Sequence, residues 1–293
     1  MFYEVQVPEP KPRHKQISAL VVLTPAESRR LLAKATVALP EVQDAWKDGM
    51  IIIARGITTA YVTEELLGID IERKAAQSAG MICNGITNHY SGPPPCTWHV
   101  IRKGKALEGA DSNVEILNFG PEDVFIKGAN AVDGQGNAGI LATSLKGGTI
   151  GMCWPVLTPR GSHLIMPVGL EKLIPSVVEA GKHTGIYHFK YSTGLPAKLI
   201  PVELGKVVTE IQAFAVLAGV RACHVASGGV GGSEGAVVLS LTGSEDGIEK
   251  AMTLIKSIKG EPPVALPASN IVLRSAAEYN YDAAAQFAKL RSM

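Results

Sequence analysis

The sequence Met-Ile-Ile-Ile-Ala-Arg-Gly-Ile-Thr-Thr at residues 50–59 decides the fold class. Residues 50–54 form a continuous apolar run, which is typical of a strand buried on both faces of a parallel sheet. Arg55 and Gly56 begin a short loop, and residues 60–67 are predicted to be helical. A strand, a short loop and a helix in this order indicate an α/β protein.

The same order recurs on both sides of this unit. Thr24 and Glu27, with Pro25 between them, predict a capping box that opens a helix ending near Leu39. Strands are predicted at residues 123–127 and 163–168, the second followed by a helix over residues 170–180. This alternation predicts a mostly parallel, Rossmann-like sheet with right-handed crossovers.

After Pro196 the order of elements changes. The predicted elements are a strand (199–202), a helix (207–217), two strands (222–226 and 236–241) and a helix (245–258). This order is most of a ferredoxin-like α+β module. We therefore predict an α/β ligand-binding domain (residues 1–195), a ferredoxin-like module (196–264) and a C-terminal strand and helix (265–293), the helix over about 275–290.

Composition excludes several classes of protein. Of 293 residues, 46% are hydrophobic and 19% are charged, which suits a folded globular chain. A net charge of +1 gives no field for holding a nucleic acid backbone. The longest apolar runs fall short of the roughly 20 residues that span a bilayer. We expect neither nucleic acid nor membrane as a partner.

The four cysteines and the N-terminus predict a cytoplasmic location. The cysteines contain no CxxC pair, so we expect reduced thiols, with Cys153 and Cys223 buried. The first 16 residues carry prolines and charges where a secretory signal needs an unbroken apolar segment. No cofactor is expected.

The loop at residues 55–59 is predicted to bind an anion. It lies where the strand ends and the next helix begins, so free backbone N–H groups and the positive end of the helix meet there. Thr58 and Thr59 add hydroxyl donors to the side chain of Arg55 and the backbone of Gly56. The alternative is an ordinary turn in which a threonine caps the helix.

A second predicted site loop follows the strand at residues 123–127. Asp133 is the candidate acid or base, and the other candidate ligand-binding residues of this segment are Lys127, Gly128, Asn130 and Asn137. The alternative is a tight turn in which Asp133 and Asn137 satisfy their own backbone. Further along, Lys146, Gly147, Gly148 and Thr149 predict a nest of N–H groups beside a cation.

Two other motifs contain residue types that can bind a ligand. Cys83, His89, Cys96 and His99 lie within 17 residues, but their spacing fits no standard zinc pattern, so we predict no metal and prefer a loop lid with His89 and Tyr90 near the pocket. The glycine-rich residues 227–235 lie between two predicted strands. They lack the helix that a dinucleotide fingerprint requires and are predicted to be a mobile link.

Several of these motifs resemble those of a known protein superfamily. The R-G-I-T-T unit, F-I-K-G-A-N-A-V-D-G-Q-G-N, the K-G-G-T turn and L-I-M-P-V-G-L-E-K-L-I-P resemble the superfamily of ribose-5-phosphate isomerases, glucosamine-phosphate deaminases and CoA transferases. V-G-L-E-K-L-I-P is most similar to its lactate-utilisation branch, and G-A-N-A-V-D resembles the ligand domains of sugar-responsive repressors. The resemblance covers roughly residues 45–195, and the ferredoxin-like tail is similar to the accessory module of the isomerases.

The resemblance implies roles for particular residues. Gly56, Thr58 and Thr59 match the phosphate loop, residues 128–133 the loop that holds the isomerases' catalytic acids, and residues 146–149 their lysine- and glycine-rich turn. Lys172 matches a substrate-facing lysine and is, with Asp133, a candidate catalytic residue. The chain departs from the isomerase pattern at Asn130 and Ala131, where that pattern has an acidic pair, and it shows no glutamate in a CoA transferase nucleophile motif.

We therefore expect a protein that binds a small phosphorylated or carboxylated metabolite and resembles a sugar-phosphate isomerase. Whether it is an isomerase-like or transferase-like enzyme stays open. The alternatives are a metabolite sensor without catalytic activity and an oligomeric scaffold on the same fold. A homo-oligomer is expected.

Overall fold

The computed structural model describes residues 1–8, 15–90, 92–97, 99–266 and 281–282. Within these residues there are eight α-helices: α1 (Pro25–Val37), α2 (Pro40–Asp48), α3 (Ile57–Leu67), α4 (Ser112–Glu115), α5 (Gly148–Arg160), α6 (Val177–Lys182), α7 (Glu210–Ala218) and α8 (Glu245–Ile258). The described strands are β1 (Ile17–Leu23), β2 (Met50–Ile53), β3 (Gly80–Cys83), β4 (Ile86–His89), β5 (Val100–Arg102), β6 (Lys105–Leu107), β7 (Val124–Ile126), β8 (Ala131–Val132), β9 (Ala138–Ala142), β10 (His163–Pro167), β11 (Lys198–Val202), β12 (Lys206–Val208), β13 (Arg221–Gly228) and β14 (Ala236–Gly243). The helix predicted over residues 275–290 lies outside the described residues.

The central sheet has six strands in the order β12-β10-β7-β2-β5-β6. The first four run parallel, whereas β5 and β6 are antiparallel to their neighbours. All four residues of β2 are buried, as its apolar run predicts. The predicted mixed α/β class and a partly parallel sheet are therefore confirmed.

Two hydrophobic cores cover the two faces of this sheet. Ile51 and Ile53 of β2 belong to the larger core, together with residues of α1, α3, α7, α8, β1 and β14. Met50 and Ile52 face the smaller core, which contains α5. The alternation follows from the period of two in a strand. Since both faces are covered, ligands can reach the parallel strands only at their ends.

The remaining strands form three small sheets with the orders β1-β14-β13, β11-β9-β8 and β3-β4. Residues 199–202 pair with β9 rather than with β13 or β14, and the strand beside β14 is β1 from the N-terminal part. In every described sheet except β3-β4, at least one pair of neighbouring strands joins residues on the two sides of residue 195. The division into domains stays a prediction, and neither a Rossmann-like nor a ferredoxin-like arrangement is confirmed by these pairings.

Local sequence signals predict some helix boundaries correctly and others wrongly. The capping box of Thr24 and Glu27 is present, and it opens α1 as predicted. The helix predicted over residues 170–180 is wrong: a single 3-10 turn covers Leu170–Lys172, and α6 begins only after Pro175, with Ser176 as N-cap. Proline cannot donate the backbone hydrogen bond that a helix interior needs.

Cys153 is buried as predicted, whereas Cys223 on β13 is exposed because that face of the small sheet is open.

Arg30 joins three separate parts of the fold. Its guanidinium lies 2.7 Å from Glu64 of α3 and forms a two-pronged contact with Glu261, at 2.9 and 3.0 Å. It also lies over the ring of Tyr61 at 4.7 Å. Burial alone lowers the pKa of Arg30, but these carboxylates outweigh burial and raise it above its ordinary value.

We expect Arg30→Met to lower the free energy of unfolding by about 3 kcal/mol, because it leaves the buried Glu64 carboxylate with one partner fewer. Arg102→Met is the matched control. Arg102 pairs with Glu115 at the surface, so its loss should cost at most about 1 kcal/mol. Urea unfolding of both variants measures the difference, and equal losses would contradict the role assigned to Arg30.

Candidate functional site

The carboxyl ends of β2, β7, β10 and β12 meet at one edge of the central sheet. The segments that follow these strands carry charged or polar side chains, namely Arg55 and Thr58 after β2, Lys127 after β7, Glu171 and Lys172 after β10, and Glu210 after β12. In open α/β sheets, ligands bind outside the carboxyl ends of the strands. This edge is therefore the candidate site.

Lys127 is a charged group at this edge that has no counter-ion among the described residues. Its side chain is half-buried, and within the described residues its ammonium forms neither a hydrogen bond nor an ion pair. Burial lowers the pKa of Lys127, and the neighbouring Cys153 thiol of α5 opposes this only in part. Gly128 follows, with Thr58 so close that a Cβ on Gly128 would lie 3.7 Å from the Thr58 Cβ.

Lys172 lies in the same group of charges. Its Nζ donates to the carbonyl of Ala129 at 3.1 Å and lies 4.0 Å from the Glu171 carboxylate. Burial lowers the pKa of Lys172; Glu171 and Glu210 oppose this, while Arg29 and Lys127 add to it. The predicted site residues Lys127, Gly128 and Lys172 are thus brought together.

Two carboxyl groups accompany these cations, and they differ in their partners. Glu171 binds Arg29 of α1 at 2.9 Å. Glu210 is fully buried; its Oε2 accepts from the Leu170 N–H at 2.9 Å, and its Oε1 has no hydrogen-bond partner within the described residues. Burial raises the pKa of Glu210, which favours the neutral carboxylic acid. Arg29, Lys127 and Lys172 thus lie near two carboxyl groups, of which Glu171 forms the ion pair with Arg29.

The loop after β2 places its predicted residues at the same edge. The Thr59 hydroxyl donates to the carbonyls of Ala54 and Gly56, at 2.6 and 3.1 Å, so it braces the loop rather than facing a ligand. The buried Thr58 side chain has no hydrogen bond within the described part of the chain. Gly56 is the N-cap of α3, and no side chain caps this helix. Thr58 and the first N–H groups of α3 are therefore available to an anion.

Arg55 turns away from the lysines, toward the 3-10 helix Lys74–Gln77. Its guanidinium makes two long contacts with the carbonyls of Gln77 and Ala76, at 3.3 and 3.4 Å. Burial lowers the pKa of Arg55, and the charge of Arg55 in turn adds to the burial that lowers the pKa of His89 and of His99. Arg55 therefore lies in a separate group of nitrogen-bearing side chains.

The structure shows Asp133 in the tight turn given above as the alternative to a catalytic role: its side chain bonds to the backbone of its own loop. Its buried carboxylate accepts from the N–H groups of Gln135, Asn137 and Val177 at 2.9–3.0 Å and from the Asn137 side chain at 3.0 Å. Burial alone raises the pKa of Asp133, but these hydrogen bonds outweigh it and lower the pKa. With its acceptor positions occupied, this carboxylate is poorly suited to take a proton from a substrate. The side chain of Asn130 also bonds to nearby backbone: its Oδ1 accepts from the Leu141 N–H at 3.0 Å.

The turn of Lys146, Gly147, Gly148 and Thr149 borders a different feature. Gly147 helps to line a cavity of about 280 Å³ together with Tyr187, Lys198 and Ile200, among others. Lys146 and Thr149 are exposed. The Lys198 ammonium already donates to the carbonyls of Gly181 and Thr184. A second cavity of about 210 Å³ lies between Tyr3 and α7. Neither cavity is lined by the charged edge.

The remaining motifs have distinct outcomes. Within the described ranges, no three His, Cys, Asp or Glu side chains lie close enough together to hold a metal ion. The glycine-rich residues after β13 connect two paired strands, and a Cβ on Gly235 would lie 3.3 Å from Glu171 Oε2. The end of this link therefore lies beside the charged edge.

Sequence reasoning missed Arg29, Glu171 and Glu210. Arg29 is one of several charged residues on α1, and Glu210 sits in the first turn of a helix, where acids are common. The sequence contains a signal for Glu171, because it follows a predicted strand and directly precedes the candidate residue Lys172. The chain contains no direct signal for the burial of Glu210.

The fold and this edge define the class: a mixed α/β protein with several cationic side chains at the carboxyl ends of four parallel strands. Comparison of the chain with protein-family models, with curated proteins and with solved structures gave no match. None of the helices in the described residues combines the length and the apolar character needed to cross a bilayer.

Proposed function

We propose that the protein binds a small phosphorylated or carboxylated metabolite at the carboxyl ends of β2, β7 and β10. The observation that carries this proposal is the half-buried ammonium of Lys127, which has no acidic partner within the described residues. An unpaired buried charge is costly to a fold, and a bound anion removes that cost. The neighbouring Lys172 and the free first turn of α3 favour the same ligand charge.

The proposal extends to chemistry through Lys172. A lysine whose pKa is lowered by burial holds more of the neutral amine near pH 7 and so is suited to accept a proton. In an isomerase-like reaction, the neutral amine of Lys172 takes a proton from the hydroxyl-bearing carbon beside a carbonyl group and returns it to the former carbonyl carbon. The hydroxyl proton passes to the former carbonyl oxygen, and Lys127 holds the acidic group of the substrate. Asp133 has no part in this proposal because its oxygens are occupied. The resemblance to the sugar-phosphate isomerase superfamily supports this reaction class only at the level of short motifs.

Two finer statements about architecture and location belong to the same proposal. We place the four parallel strands in a Rossmann-like arrangement, with α7, β13, β14 and α8 as the core of a ferredoxin-like module. Within the described residues, Cys83, Cys96, Cys153 and Cys223 form no disulfide bond, which supports a cytoplasmic location.

A thermal-shift screen tests the proposal. The ligands are sugar phosphates, small hydroxy acids, acyl-CoA esters and inorganic phosphate. A ligand at 100 times its dissociation constant adds about 2.7 kcal/mol of stability, which is worth about 5 °C in a chain of this size. We expect a rise with at least one class of phosphorylated or carboxylated compound. No rise with any of the four classes would overturn the proposal.

A further inference from the structure

His99, Gln77 and Arg55 lie together at the start of β5 and the end of β2. The His99 carbonyl accepts from the Ile53 N–H at 2.8 Å, which places His99 at the same edge of the sheet as Arg55. Gln77 is fully buried, and its Nε2 lies 3.3 Å from His99 Nε2. Arg55 is close enough for its charge to lower the pKa of His99, after the larger effect of burial.

Hydrogen bonding to Cys96 fixes which atoms of Gln77 face His99. The Cys96 N–H can only donate, and it lies 3.2 Å from Gln77 Oε1, while the Cys96 carbonyl accepts from Gln77 Nε2 at 2.8 Å. The Gln77 amide nitrogen is therefore the atom that approaches His99. Because an amide nitrogen is a donor, His99 Nε2 must accept, which leaves the proton of the neutral ring on Nδ1.

This assignment leaves His99 Nδ1–H without an acceptor in good hydrogen-bond geometry. Nδ1 is shielded from solvent and has no hydrogen-bond partner within the described residues. Full protonation of the ring would not remove this donor. Burial and the charge of Arg55 lower the pKa of His99, and the nearby backbone groups of Cys96 and Ile53 oppose this only in part. A buried unsatisfied donor costs about 1–3 kcal/mol, so a missing acceptor is the expected explanation.

Arg55 presents the matching charge. Its guanidinium has five N–H donors, and the structure shows two long contacts, both to uncharged carbonyls. No carboxylate is paired with Arg55 among the described residues, although its side chain is half-buried and the group stays protonated. A guanidinium with free donors beside a free imidazole N–H is suited to hold two oxygens of one oxyanion.

We propose that Arg55 and His99, held by Gln77, bind a second acidic group of the metabolite, so that the ligand carries two acidic groups. This inference rests on the proposed function, in which Lys127 binds the first group. Alternation along β2 and β7 places Arg55 on the face of the larger core and Lys127 on that of the smaller one. Because β2 and β7 are paired neighbours, about 4.8 Å apart, the strand ends that carry Arg55 and Lys127 are adjacent. Each acidic group is a phosphoryl or a carboxyl group.

Phosphate titration of the full chain tests the two subsites separately. We expect wild type to bind two inorganic phosphate ions, Arg55→Met to bind one, and Lys127→Met to bind one. Arg102→Met, on the opposite end of β5, should bind two as wild type does. Repeating the titration with acetate shows whether the Arg55 subsite also accepts a carboxylate.

The outcomes separate the inference from the function beneath it. If Arg55→Met still binds as many phosphate ions as wild type, the second subsite does not exist. If Lys127→Met still binds two, the proposed function fails while the Arg55 subsite stands as an isolated anion site. If wild type binds none, both fail.

Nitrogen NMR of the histidine rings gives a second readout that a folding defect does not imitate. In phosphate-free wild type, His99 should carry its proton on Nδ1, and phosphate should shift the Nδ1 signal. His183, which is exposed and binds Glu179, should not respond. A proton on Nε2 of His99, or an Nδ1 signal that phosphate leaves unchanged, would overturn the inference.

Discussion

Lys127→Met should lose most of the stabilisation that the ligand gives to wild type, with a fall in affinity of about 100-fold. The estimate follows because truncating one partner of a desolvated charge pair costs about 2–5 kcal/mol of binding free energy. Methionine keeps much of the apolar stem and removes the charge. Without ligand, the variant should be as stable as wild type or more so, because the ammonium has no acidic partner within the described residues.

Lys146→Met is the control that separates this edge from the other predicted anion site. Lys146 is exposed and lies in the turn before α5. Thermal-shift measurements with the best ligand of the screen and with inorganic phosphate should give the wild-type rise in Lys146→Met and a much smaller rise in Lys127→Met. The reverse pattern would assign the ligand to the turn of residues 146–149 and its cavity.

Asp133→Ala should lower the free energy of unfolding by about 3–5 kcal/mol, because it leaves the N–H groups of Gln135, Asn137 and Val177 without their acceptor in a buried loop. Asp111→Ala is the control, since Asp111 is exposed and accepts one N–H, from Asn113. Its loss should cost about 1 kcal/mol. Urea unfolding at pH 7 measures both.

A second substitution at this position, Asp133→Asn, tests the pH dependence of stability, which has a definite sign. Hydrogen bonds hold the pKa of Asp133 below its ordinary value of 3.8 in the folded chain, despite the opposing effect of burial. A lowered folded-state pKa gives stability that is present above pH 3.8 and is lost as the pH falls through the folded value. The difference between wild type and Asp133→Asn should therefore shrink below about pH 4. A difference that is constant from pH 7 to pH 3 would show that the carboxylate is not held in this way.

Sequence reasoning works for this fold where one local signal decides the outcome. The apolar run of β2 requires burial on both faces, and Thr24 and Glu27 cap α1 regardless of what surrounds the helix. It fails where partners are distant along the chain. The pairing of β1 with β14 joins residues more than 200 positions apart, and no local pattern specifies that contact. The prolines at 155 and 159 also argue against α5, which nevertheless forms because its buried residues pack in the smaller core.

The site shows the same limit. Lys127 was predicted as a site residue because it ends a predicted strand, and parallel strands bring their carboxyl ends together. Lys172 was predicted only from the resemblance to the isomerase superfamily. Asp133 resembles a base in sequence, yet the hydrogen bonds that occupy it depend on Val177, 44 residues away. The neutral state favoured for Glu210 depends on its burial, and burial is a property of the whole fold. The sequence thus shows which residues carry a charge, but it does not show which of these charges find a partner in the fold.

A crystal structure with the ligand that gives the largest thermal shift tests the central claim most directly. The measured quantity is the distance from the ligand's acidic oxygens to Lys127 Nζ. A charge-assisted hydrogen bond predicts about 2.7–2.9 Å, with the ligand lying across the ends of β2 and β7. A ligand seated instead in the cavity beside Gly147 and Ile200, with Lys127 unchanged, would contradict the account.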